Sequence, residues 1–124
     1  MAGLIRRLTP LVLVAASALA LSSCGTSGAV TQARLACRYV DRSLTIYRQS
    51  TQPGLSASAR SSRQSRALAV LLRATPFAAS ATSSDGGWNP LMTTINEAER
   101  VPIVDLIPSL TRLCQIAQSS SPYL

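Results

Sequence analysis

Ala29-Val-Thr-Gln-Ala-Arg-Leu-Ala-Cys-Arg-Tyr-Val-Asp-Arg-Ser-Leu-Thr-Ile-Tyr-Arg-Gln-Ser50 decides the fold class. Val30, Ala33, Cys37, Val40, Leu44 and Tyr47 recur at alternating three- and four-residue steps. That spacing draws one apolar face along an α-helix, because residues three and four apart stack on the same side. Arg34, Arg38, Asp41, Arg42 and Arg48 fall off the stripe and keep their charges in water. A helix over 29–50 follows, and Pro53-Gly54 stops it.

Downstream, the pattern repeats with different punctuation. A second helix is expected over 56–75, where Leu68, Leu71 and Leu72 share one side and Ala57 and Ser61 extend it. Arg60, Arg63, Arg66 and Arg73 are then expected on the opposite side, with Pro76 ending or kinking the helix. Residues 78–90 read as a loop, from Ser80, Ser83, Ser84, Asp85, Gly86, Gly87 and Asn89-Pro90. Trp88, the only tryptophan, lies inside it. A short helix over 91–100 would use Leu91, Ile95 and Ala98.

The last helix carries Ile103, Ile107, Leu110, Cys114 and Ala117 on one face. Pro108 either kinks it or belongs to its first turn. Residues 119–124 should fray. No alternating run suggests a strand. The fold class is therefore all-α: a small antiparallel bundle of three or four helices, occupying residues 29–118 as one domain.

The chain opens on a different kind of segment. Arg6 and Arg7 precede an apolar run from Leu8 to Leu21, broken only by Thr9, Pro10 and Ser17, and Leu21-Ser22-Ser23-Cys24 follows. This is the layout of a secretory signal over residues 1–23. The run falls short of the roughly 20 residues that a helix needs to cross the hydrocarbon core. Leu21-Ser22-Ser23-Cys24 resembles the lipobox of bacterial lipoproteins. The resemblance covers residues 1–24 only, and implies diacylglyceryl transfer to the Cys24 sulfur followed by cleavage before Cys24. Two acyl chains give stable anchoring where one does not. Residues 24–28 then read as a lipidated N-terminus and a short flexible tether. The expected location is the extracytoplasmic face of the cell membrane.

Export changes how the remaining residues are read. Cys37 and Cys114 form an even pair in a compartment where disulfides persist, and both lie on core-facing stripes, so a bridge is expected. The chain contains 12 basic residues, all arginine, and no histidine, against 5 acids, for a net charge of +7. Codon bias in a GC-rich genome accounts for arginine standing in for lysine. The basic charge favours an anionic lipid surface, and export argues against nucleic acid.

The missing residue types exclude much chemistry. Without histidine or lysine there is no usual general base near neutral pH, no Ser-His or Cys-His pair and no Schiff-base lysine. Asp85-Gly86-Gly87 lacks the further oxygen ligands of a calcium loop, and Glu97 and Glu99 do not share a helix face. No enzyme activity, cofactor or metal site is expected.

Two features qualify as binding elements. Arg60, Arg63, Arg66 and Arg73 could hold anionic lipid or wall polymer, or simply be a solvated face. Trp88 is either a binding-loop anchor or a plug over one end of the bundle. The leading expectation is a membrane-anchored, non-enzymatic module that binds an envelope protein or component. The alternatives are a structural envelope factor using the arginine face, and a carrier of a small apolar ligand.

Overall fold

The computed structural model describes residues 26–119. The expected signal segment of residues 1–23, the expected lipid-bearing Cys24, Gly25 and residues 120–124 lie outside the described residues. The architecture is an all-α bundle: α1 (Thr26–Ser50), α2 (Ala57–Leu72), α3 (Thr75–Ser84), a single 3₁₀ turn (Gly86–Trp88), α4 (Asn89–Glu97) and α5 (Ile103–Gln118). Among the described residues no strand occurs, and no helix is long and apolar enough to cross a membrane.

Helix α1 is the central element and packs against α2, α3 and α5. Its inner side is built from Ala29, Ala33, Ala36, Cys37, Val40, Ser43 and Leu44, all buried. Alanine and serine dominate that face, so neighbouring helices approach closely. Ser43 is fully buried, and its hydroxyl donates to the Ala67 carbonyl at 2.6 Å. The Arg63 guanidinium donates to the Gln49 carbonyl at 3.0 Å. Rising numbers on one helix thus meet falling numbers on the other, which makes α1 and α2 an antiparallel hairpin. Gly54, at φ 84°, turns the chain between them in the left-handed region that favours glycine. Ser56 then caps α2 by accepting from the Ala59 N–H at 3.0 Å.

Three local readings change. Thr26, Ser27 and Gly28, expected as tether, are the first turn of α1. The buried side of α2 is Ala67, Val70, Leu71 and, just past its end, Ala74, while Leu68 and Leu72 sit at its flanks. Against an alanine-lined partner, small residues meet the backbone and large leucines are displaced sideways. Residues 78–90 are not a loop: α3 runs to Ser84, and α4 starts at Asn89. Serine and threonine normally compete with helix by bonding to nearby backbone. Here Thr82 and Ser83 turn that tendency back into the helix, donating to the Ala78 and Ala79 carbonyls. Ala74, Ala78 and Ala81 provide the buried edge. Pro76 marks the first turn of α3, where its missing N–H costs nothing.

Helix α5 begins at Ile103 and continues through Pro108, so the proline lies inside it. Its last turn is fixed to the middle of α1 at three points. Cys37 and Cys114 form the expected disulfide, with Cα atoms 5.5 Å apart. Arg34 donates to the Ala117 and Ser119 carbonyls at 2.8 and 3.3 Å. Gln118 donates to the Asp41 carboxylate at 3.4 Å. The centre is filled by Leu71, Leu91, Ile95, Leu110 and Val40, each fully buried.

Candidate functional site

The four arginines singled out on α2 do not form one face opposite the core. Arg60 and Arg63 continue the three- and four-residue steps of buried Ala67, Val70 and Ala74. They occupy the solvent end of the core stripe. Arg63 is partly buried and committed to the C-terminal carbonyl of Gln49, where a cation also meets the negative end of the α1 dipole. Arg66 and Arg73 are exposed. Arg63→Ala should therefore lower stability by about 0.5–1 kcal/mol. Arg66→Ala should stay within about 0.5 kcal/mol of the parent, as surface substitutions usually do. Chemical denaturation of the two variants separates them.

Trp88 is only 4% exposed. It ends the 3₁₀ turn whose Asp85 carboxylate accepts from the Gly87 N–H at 2.9 Å. That turn lies between α3 and α4, so the indole is part of the core and not a projecting anchor.

A pair of arginines on α1, which the sequence reading left as solvated charge, stands in a more defined setting. Arg38 and Arg42 are exposed, four residues apart, on the outer side of α1. With Leu35, Tyr39 and Phe77 they line an open cleft of about 180 Å³ between α1 and α3. The Tyr39 and Phe77 rings stack with centroids 5.5 Å apart and planes inclined by 13°. Phe77 arrives there as part of α3, whereas the sequence expectation ended a helix near Pro76 and began a loop at 78, leaving Phe77 between them with no helix to pair it with Tyr39. The two arginines at one-turn spacing beside an aromatic were the available signal.

A second groove runs between Tyr47, Gln64, Ser65, Leu68, Val101 and Ile103. Val104 nearby is 49% exposed. Three of the acids are engaged: Glu97 pairs with Arg100, Asp41 accepts from Gln118, and Asp85 accepts from the Gly87 N–H of its own turn. Among the described residues no three His, Cys, Asp or Glu side chains come together as a metal site. No protein-family model, curated protein or solved structure matches the chain.

Proposed function

We propose that the chain is an exported lipoprotein whose helical domain is a non-enzymatic binding module, held on the extracytoplasmic face of the cell membrane by lipid on Cys24. The observation that carries this reading is Leu21-Ser22-Ser23-Cys24 at the end of an apolar run that follows Arg6-Arg7. The helix that starts at Thr26 adds to it. A rigid element so close to the modified cysteine keeps the domain against the bilayer, since one intervening residue spans at most about 3.6 Å.

A binding role rests on the surface. The domain offers an arginine- and aromatic-lined cleft beside α1 and α3 and a second, mixed groove lined by Tyr47, Gln64, Leu68 and Ile103. Asp41, Asp85 and Glu97 are each held by a hydrogen bond or ion pair, and the sequence has no histidine or lysine to act as a general base near neutral pH. A carrier of a small apolar ligand draws no support from a centre occupied by Leu71, Leu91, Ile95 and Leu110.

Substitution of the lipid-bearing residue tests the anchor. Cys24→Ala should leave the protein as uncleaved precursor or as a form that partitions into the aqueous phase of a detergent extraction, without the mass of the acyl chains. Retention of the lipid mass in that variant overturns the reading.

A further inference from the structure

We infer that the cleft formed by Leu35, Arg38, Tyr39, Arg42 and Phe77 binds the phosphodiester group of an anionic phospholipid, and that α1 consequently lies along the membrane surface. The inference rests on the lipoprotein reading for its geometry and on the cleft for its chemistry.

Arg38 and Arg42 stand one helical turn apart, so their guanidinium groups reach the same patch of space. Their charges are not neutralised within the domain: the ion pair among the described residues is Arg100–Glu97. Asp41, their nearest acid in sequence, accepts from Gln118. Two planar, five-donor cations lining one cleft that no carboxylate lines match a tetrahedral oxyanion, which guanidinium groups bind in bidentate fashion. The stacked Tyr39 and Phe77 rings and Leu35 add an apolar wall beside the charge. An inorganic anion has no use for that wall, whereas a phosphate joined to a glycerol and acyl chains does. Aromatic side chains favour the boundary where one end is apolar and the other wet.

The position of the anchor selects the source of that phosphate. Arg38 lies 12 residues beyond Thr26, where α1 begins. At about 1.5 Å per residue this is roughly 18 Å along the axis. A helix standing upright on its lipid would hold Arg38 and Arg42 above the headgroups. One lying flat on its outer side puts both among them. A basic helix tethered to an anionic surface is drawn into the second arrangement.

The test uses the mature lipidated protein on vesicles of phosphatidylglycerol or of phosphatidylcholine, treated with an arginine-specific dicarbonyl and read by peptide mass spectrometry. Arg38 and Arg42 should be modified at least about fivefold more slowly on phosphatidylglycerol, since each arginine near an anionic surface gains that order of preference. Arg66 on α2 and Arg73 just past its end, both exposed, should react equally on both. The Arg38→Gln/Arg42→Gln variant should lose the rise in thermal midpoint that phosphatidylglycerol gives the parent protein.

Equal protection of all four arginines would reduce the effect to general surface charge and overturn the site. So would unchanged reactivity of Arg38 and Arg42 on phosphatidylglycerol. Protection that appears only when a soluble glycerol-phosphate polymer is added to phosphatidylcholine vesicles would overturn the lipid as occupant and assign the same chemistry to a wall polymer. Retention of the protein on neutral vesicles reads the Cys24 anchor by itself, so a missing anchor and an empty cleft give different results.

Discussion

Loss of the Cys37–Cys114 bridge should lower the stability of the domain by about 4–5 kcal/mol. The bond joins residues 77 apart in sequence, and the entropy of closing so long a loop in the unfolded chain sets that magnitude. A small domain has only about 5–15 kcal/mol in total, so the change is a large fraction of the whole. Expressed as a thermal midpoint it corresponds to a fall of roughly 20 °C or more for a domain of this size. Cys37 is fully buried and Cys114 is 3% exposed, so a mild reductant should not reach the bond until the domain opens.

Cys37→Ala/Cys114→Ala gives the same measurement without reductant. Its helical circular dichroism should persist below the lowered midpoint, because Arg34 still holds the Ala117 and Ser119 carbonyls at the same junction. Cys37→Ala alone should behave worse than the double variant, since the remaining Cys114 thiol invites intermolecular disulfides. Two titratable thiols in unreduced, denatured protein, or a midpoint within a few degrees of the parent, would overturn this account.

Truncation of Trp88 is expected to be the next largest effect. Trp88→Ala should cost about 3–5 kcal/mol, the range for removing a buried large aromatic side chain. The indole is 4% exposed at the turn joining α3 to α4, and the substitution leaves a cavity that two short helices cannot close. Trp88→Phe should recover most of the loss. The experiment discriminates two roles: a binding anchor lost from the surface would weaken binding with little change in stability, whereas a core residue does the reverse. As the only tryptophan, Trp88 also reports directly on itself. Its emission should be blue-shifted in the native protein and slowly quenched by acrylamide. Red-shifted emission with rapid quenching, or an unchanged midpoint for Trp88→Ala, would contradict its burial.

The helices legible in the sequence were those with a long apolar stripe. The α1 stripe through Val30, Ala33, Cys37, Val40 and Leu44 is buried as its spacing required, and its last member, Tyr47, is half-buried. The same holds for Ile103, Leu110, Cys114 and Ala117 of α5, with Ile107 half-buried. Helix α3 was hidden because Thr-Pro-Phe-Ala-Ala-Ser-Ala-Thr-Ser-Ser carries turn formers and only alanines on its buried edge. Alanine at positions 74, 78 and 81 signals a contact only once an alanine-lined partner is known to lie opposite. The α2 arginines were misplaced for a related reason. The sequence pattern put Leu68, Leu71 and Leu72 on the inner side; Leu71 is buried there, whereas packing against α1 turned Ala67 and Val70 inward in place of Leu68 and Leu72 and put Arg60 and Arg63 on the same side.

By itself, the sequence determined what is fixed by side-chain type and local spacing: the all-α class, the apolar sides of α1 and α5, and two cysteines carried on them. These follow from the 3.6-residue period, which acts within one segment and needs no neighbour. Tertiary structure decided how those segments meet. It brought the Cys37 and Cys114 Cα atoms to 5.5 Å, bound Arg63 to the end of α1, buried Trp88, and stacked Phe77 on Tyr39 beside Arg38 and Arg42. Each of these depends on the rotation of one helix against another. That rotation is set by how closely small side chains allow the backbones to approach, a property of the pair of surfaces and not of either stretch of sequence.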